Sequence, residues 1–137
     1  MVTAVAEHRR PGADPHPLNR LGAERALRAR LIAEPALVDL TELAAADPPV
    51  ARTNLKDPVP CVAAGRRGDG RPTVVVCSVG IDLDLVPFAA DARLALFGRD
   101  SDADLAIAVP ERDAHAVTRA LAARLRRPAE IVPIAPA

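Results

Sequence analysis

A short apolar run at residues 74–77 stands out near the middle of the chain, where three valines precede Cys77. It follows the turn signal Gly68-Asp69-Gly70 and is too short to be a buried helix. A strand without polar alternation is covered on both faces, as in parallel sheets that are flanked by helices. The pattern therefore predicts the central strand of a sheet.

Strict alternation begins directly after this run. Gly80, Asp82 and Asp84 fall on one side, and the other side is apolar: Val79, Ile81, Leu83 and Leu85. Successive side chains of a strand point to opposite faces. We expect the strand to emerge from the core here, with the two carboxylates pointing to water or to a ligand.

The chain before this strand is predicted to be mainly helical. Residues 18–34 have apolar positions at helical spacing. Pro35 breaks that helix and suits the first turn of another, so residues 35–46 are predicted as a second, shorter helix. Residues 59–64 are predicted as an edge strand because nearby prolines remove ladder donors. Residues 65–70 then turn the chain into the central strand as a hairpin.

The chain after this strand alternates between helix and strand. A helix is predicted over residues 87–97, with Gly98 as its left-handed stop. Residues 105–109 form a second apolar strand, and a helix follows from residue 110 to Pro128. The last strand, residues 130–134, is predicted at a sheet edge because it contains a proline.

The predicted order is thus α-α-β-β-α-β-α-β in an α/β fold, with α+β as the alternative. Two right-handed crossovers make the last three strands parallel, and the hairpin makes the first strand antiparallel. We expect a mixed four-stranded sheet with helices packed on it. Residues 18–137 form a single domain, and residues 1–17 form a flexible arm.

Composition narrows the classes of function. The 137 residues have a formal net charge of zero and include two Phe but no Trp or Tyr, so stacking of aromatic side chains on bases is nearly excluded. Cys61 and Cys77 lack metal-ligand spacing and are interpreted as buried, reduced thiols, which favours a cytoplasmic location. No apolar run approaches the length of a membrane span.

The element order resembles that of the restriction-endonuclease-like PD-(D/E)XK family, in which a hairpin, a helix and a strand follow an N-terminal helical segment. The resemblance covers about residues 59–134, and its local likeness is Gly70-Arg71-Pro72 leading into the apolar strand. An active member would carry an acid, any residue and then lysine in that strand. The corresponding positions are Val76 and Ser78, or Cys77 and Val79 in a shifted register, and Asp57 is a loose candidate for the upstream acid. The resemblance therefore implies a relative that does not cleave nucleic acid.

Acidic residues follow both predicted parallel strands. Ligands of open parallel sheets bind beyond the carboxyl ends of the strands, and this edge is predicted to carry Asp82, Asp84, Glu111 and Asp113. Acids that lie together attract Mg²⁺ or a cationic group. The same residue types also stabilise helix N-termini by capping N–H groups. Whether this edge binds a metal stays open at the level of sequence.

Arginines mark the predicted hairpin turn at the opposite end of the central strand. Arg66, Arg67 and Arg71 are candidates for contact with an anion. With zero net charge and no aromatic platform, we expect binding to nucleic acid to be weak and steeply dependent on salt.

The sequence contains no complete catalytic set: it lacks a phosphate-binding glycine loop, a nucleophile elbow and a histidine cluster. The preferred interpretation is a non-enzymatic interaction module that binds another protein or associates with itself, without a cofactor. The alternative is a small Mg²⁺-dependent enzyme that acts on a phosphorylated or nucleic-acid substrate through Asp82 and Asp84.

Overall fold

The computed structural model describes residues 17–49 and 60–137. Three α-helices lie in this part of the chain: α1 (Pro17–Ala33), α2 (Leu85–Phe97) and α3 (Ala116–Ala123). The strands are β1 (Glu42–Ala46), β2 (Cys61–Arg66), β3 (Pro72–Cys77), β4 (Asp104–Pro110) and β5 (Glu130–Ile134). Two short 3-10 turns cover Pro35–Val38 and Glu111–Asp113.

The five strands form one mixed sheet in the order β1-β2-β3-β4-β5. Strand β2 is antiparallel to both β1 and β3, whereas β3, β4 and β5 are parallel. The prediction of an α/β fold with a hairpin and three parallel strands is therefore confirmed. The predicted strand number and element order are wrong, because a fifth strand replaces the second helix.

The two faces of the sheet bury two separate cores. One face of β2 to β5 packs against α2 and α3, with Val76, Ile107 and Ala89 among its fully buried residues. The other face packs against α1 and the segment that follows it, and here Leu31 is fully buried. The alternation of side chains along each strand divides the apolar residues between these two cores.

Strand β3 is the middle strand, as the apolar run at residues 74–77 predicted. Val74, Val75 and Val76 are all fully buried. Val75 belongs to the core under α1, while its two neighbours belong to the core under α2. Coverage on both faces explains why this strand shows no polar alternation.

The predicted second helix, residues 35–46, is wrong. Pro35 does begin a helical turn, but that turn ends at Asp39, which has a left-handed φ of 60°. Residues 42–46 then pair with β2 as strand β1. The apolar spacing of this segment fits a helix, and alanine favours one, but pairing along the open side of β2 overrides the local preference.

Strand β2 was predicted at an edge of the sheet, and this prediction is also wrong. Pro60 lies just before the first paired residue, so it removes no donor from the ladder; Pro58 and Val59 lie outside the described residues. Within the strand, Gly65 is required for close approach to β1. A Cβ atom there would lie 2.0 Å from the carbonyl oxygen of Glu42.

The remaining elements match their predictions closely, with one exception. Helix α1 and strands β4 and β5 lie where expected, and α2 ends at Gly98, whose φ is 82°. The helix predicted from residue 110 is instead a 3-10 turn followed by the short α3. The predicted arm lies outside the described residues except for Pro17, which begins α1.

Within the described ranges, no helix combines the length and the apolar character that a membrane crossing requires.

Candidate functional site

The loop that follows β3 lies at the edge of the sheet where the parallel strands end. Because β3, β4 and β5 are parallel, their carboxyl ends lie along one edge of the sheet. The N–H of Ser78 still donates to the carbonyl oxygen of Ala108 at 3.1 Å, and regular pairing stops there. The next residues, 79–84, cross the edge of the sheet before α2 begins.

Two carboxylates from different elements hold the start of this loop. The N–H of Val79 donates to Oε2 of Glu24 at 3.1 Å, and the N–H of Gly80 donates to Oδ2 of Asp113 at 2.8 Å. Glu24 lies on α1 and is 4% exposed, and Asp113 lies in the 3-10 turn after β4. A carboxylate that accepts a backbone N–H makes a charge-assisted hydrogen bond, one of the stronger kinds in proteins. The backbone of the loop is therefore anchored on both sides.

Asp82 organises the second half of the loop. Its Oδ1 accepts the N–H of Asp84 at 2.9 Å, and its carbonyl oxygen accepts the N–H of Leu85 at 3.2 Å. This is an Asx turn that leads into α2. Asp84 is the residue before the helix, but its side chain makes no capping hydrogen bond. Of the two acids, Asp82 is thus the one that supports the helix start.

Ile81 and Leu83 point into solvent, with 66% and 70% of their surface exposed. The alternation after the central strand predicted that they would share one side with Val79 and Leu85, and this is wrong because the strand ends at Cys77. Val79 and Leu85 are buried, at 5% and 2% exposure. The anchors at Gly80 and Asp82 turn the backbone between them, so the apolar side chains in the turn are directed outward.

The four predicted acids do not converge on a metal position. Asp113 reaches the loop after β3, as the parallel arrangement implied, but Glu111 lines a cleft of about 360 Å³ beside Leu27 and Arg30. Among residues 17–49 and 60–137, no group of three or more His, Cys, Asp or Glu side chains is arranged to hold a metal ion. The arrangement of the described acids supports the backbone rather than a cation.

The three predicted anion-contacting arginines lie at the other end of β3. Nε of Arg67 contacts Oδ2 of Asp104 at 2.8 Å, and its Nη1 lies 3.2 Å from Oδ2 of Asp39. Arg71 lies 3.5 Å from Asp104, and the exposed Arg66 lies 3.8 Å from Glu42. An anion at this corner would compete with these carboxylates.

The positions that correspond to the nuclease acid and lysine are deeply buried. In one register they are Val76 and Ser78, and in the other Cys77 and Val79, and none of the four is more than 5% exposed. The Ser78 hydroxyl makes no hydrogen bond within the protein. A hydroxyl that is not hydrogen-bonded to a general base is not an activated nucleophile.

Sequence reasoning missed two features of this region. Glu24 was not singled out from the sequence, because its contact with Val79 joins residues that are 55 positions apart in sequence. Cys61 and Cys77 were interpreted as separate buried thiols, but they are directly opposite each other on β2 and β3. Counting the hairpin register from its turn would have predicted this pairing.

Comparison with known protein families, with curated proteins and with solved structures finds no match to this chain.

Proposed function

We propose that this domain is a non-enzymatic interaction module that binds a protein partner through the loop after β3. The observation that carries the proposal is the exposure of Ile81 and Leu83 on a backbone that two anchoring carboxylates hold in place. Single exposed apolar residues are ordinary on protein surfaces. Two large ones on one short, anchored loop favour an interaction site.

The charges around the loop indicate the chemistry of the partner. Asp84 is exposed and Asp82 is half-buried, and the two alternate with the apolar pair. A complementary surface would combine an apolar pocket with cationic side chains at its rim, the arrangement common in protein interfaces. The loop fits a folded or extended protein segment better than a small metabolite, because most of the surface of Ile81 and Leu83 faces solvent.

In this proposal the domain is a nuclease-like module that lacks catalytic residues. The succession of a hairpin, α2, β4, α3 and β5 after the N-terminal helix α1 supports that relationship. The lack of catalytic residues is inferred from the two positions at which a nuclease would need an acid and a lysine, since valine, serine or cysteine occupies them. None of these side chains can bind Mg²⁺ as a carboxylate does.

The test compares a loop variant with a matched control. Ile81→Ser combined with Leu83→Ser removes both apolar side chains, and Leu94→Ser removes one of similar size that is 50% exposed on α2. Partners recovered from the source cells with wild-type protein are purified, and their affinities are measured by isothermal titration calorimetry. Each apolar side chain contributes about 1.5 kcal/mol to binding when it is buried in the interface. Removing both would therefore raise Kd about 100-fold in the loop variant. The Leu94→Ser protein should bind as the wild type does.

Two results would contradict the proposal. One is a partner whose affinity is unchanged by the loop variant. The other is cleavage of DNA or RNA by the purified wild-type protein in Mg²⁺ or Mn²⁺. Sedimentation velocity on the wild type distinguishes self-association from binding to a different protein, because only self-association changes the mass of the protein alone.

A further inference from the structure

The two cysteines of the chain lie directly opposite each other across the antiparallel strands β2 and β3. Both belong to the core under α1, so their side chains point to the same face of the sheet. Both carry thiols rather than a disulfide. Two thiols on neighbouring strands, at the same register position and on the same face, form a geometric pair.

The hydrogen-bond pattern of the hairpin fixes the spacing of this pair. The N–H of Arg67 donates to the carbonyl oxygen of Arg71, and hydrogen-bonded pairs alternate along the ladder from that point to Cys61 and Cys77. Opposite residues in such a pair have Cα atoms about 5.5 Å apart. Disulfides span Cα separations of about 4.4–6.8 Å, so the backbone need not move far to join the two sulfur atoms.

The two thiols differ in their access to small molecules. Cys61 lines a cleft of about 620 Å³ whose walls include Arg25 and Arg28. Cys77 is fully buried behind it, and burial raises the pKa of its thiol to about 12. A reagent in the cleft therefore meets Cys61 first. Asp47 also lines the cleft, but the two guanidinium groups outnumber its carboxylate and favour reagents that carry carboxylates.

We propose that Cys61 and Cys77 are a redox-active pair that forms a reversible disulfide by exchange with an anionic low-molecular-weight disulfide of the glutathione type. Cys61 loses its proton, and its sulfur attacks one sulfur of the reagent. The reagent's S–S bond breaks, a mixed disulfide forms on Cys61, and the first small thiolate leaves and takes up a proton. Cys77 then loses its proton and attacks Sγ of Cys61, which releases the second small thiol. The protein is oxidised by two electrons, and the reagent is reduced to two thiols.

The position of Cys61 also predicts that the bond can be reduced again. One sulfur of the disulfide would border the cleft, where a small thiol can attack it, and accessible disulfides are more labile than buried ones. Reversibility distinguishes this pair from a permanent structural cross-link.

The experiment uses the whole chain, folded, with glutathione disulfide as the probe. After incubation and acid quenching, the intact mass of the wild type should fall by that of two hydrogen atoms, and dithiothreitol should restore it. Cys77→Ser should stop at the mixed disulfide and retain one glutathione on Cys61. Cys61→Ser should remain unmodified, because Cys77 has no access to the cleft. Circular dichroism melting confirms that each variant is folded, with Cys→Ala versions as substitutes for any that is not.

Three outcomes would overturn the inference. In the first, the wild type keeps both thiols; in the second, it retains a glutathione adduct and forms no disulfide. In the third case, Cys77 in the Cys61→Ser protein would react as fast as Cys61 does in Cys77→Ser. That result would mean that the reagent reaches the thiols only when the chain unfolds. The wild-type measurement decides the first two outcomes even if both variants are destabilised.

Discussion

The two ends of the parallel strands are both rich in charged residues, but they use those charges differently. Where the strands begin, Arg67 pairs side chain to side chain with Asp104 and Asp39. Where the strands finish, the carboxylates of Glu24 and Asp113 accept hydrogen bonds from backbone N–H groups. The first end compensates one side-chain charge with another. The second end uses charge to fix the path of the main chain.

For the proposed interaction module, this difference favours one end over the other as the binding surface. At the first end, a ligand would have to displace existing ion pairs before it gained any contact. At the second end, the anchors are already satisfied, and what they hold outward is apolar surface at Ile81 and Leu83. Burying that surface would leave the hydrogen bonds of the two anchors in place. The proposed interaction module would therefore bind its partner at the end where the strands finish.

The largest expected effect comes from breaking the strand that joins the two ends. Val75→Asp places a carboxylate at a fully buried position between two helical layers, which costs several kcal/mol even after relaxation. We expect insoluble or unfolded protein, measured by the yield in the soluble fraction and by circular dichroism. A soluble variant with an unchanged melting curve would show that β3 is not the central, buried strand that joins the two ends.

The second prediction tests the anchors at the end of the strands. Asp113→Ala leaves the N–H of Gly80 without its acceptor, and we expect a loss of about 2 kcal/mol in the free energy of unfolding. Asp113→Asn should lose less, because an amide oxygen can still accept the bond. Chemical denaturation measures both. The exposed Asp91 on α2 serves as the control, since Asp91→Ala should change stability by less than about 0.5 kcal/mol. Equal losses of unfolding free energy in Asp113→Ala and Asp91→Ala would show that the hydrogen bond to Gly80 does not stabilise this end of the strands.

The third prediction concerns the opposite end, where the ion pairs are partly exposed. Arg67→Ala should cost about 1 kcal/mol, because the bond to Asp104 is shielded from water while Asp39 is exposed. The loss should shrink in high salt, since screening weakens the pairs that the substitution removes. Urea denaturation at low and high salt provides the measurement. A loss that is independent of salt would mean that Arg67 acts through packing.

The smallest expected effect is that of magnesium at the acidic edge. The described acids form no metal-binding group, so we expect no change in melting temperature in millimolar Mg²⁺. An ion at ten times its dissociation constant would instead add about 1.4 kcal/mol and raise the melting temperature by a few degrees. Differential scanning calorimetry would detect such a rise. A rise that is present in the wild type and lost in Asp82→Asn would favour the enzyme alternative.

Sequence reasoning located the elements whose signals are local. Val74 to Val76 form a run with no polar interruption, and Gly98 allows a left-handed backbone at the end of α2. Such signals are contained within a few residues, so they can be interpreted without knowing the neighbouring strands. Strand β1 had no such signal. Its alanines favour a helix, and the β-structure is imposed by pairing with β2, which is distant in sequence.

The candidate site was harder to predict for the same reason. The parallel arrangement accounts for Asp82 and Asp113 lying at one edge, but their hydrogen-bond partners depend on how the loop turns. Alternation was extended beyond Cys77 because the sequence gives no sign that the strand ends there. The direction of Ile81 and Leu83 depends on that ending, so it required the three-dimensional structure.

The division of the sheet into an antiparallel half and a parallel half has a kinetic consequence. Strands β2 and β3 are joined by a turn of only a few residues, so their pairing carries a small loop-closure cost. Strands β4 and β5 each need a helical crossover to fold before they can pair. Contacts between residues close in sequence form faster than distant ones. The hairpin that holds Cys61 opposite Cys77 should therefore form early, and the edge that carries the exposed loop should be completed last.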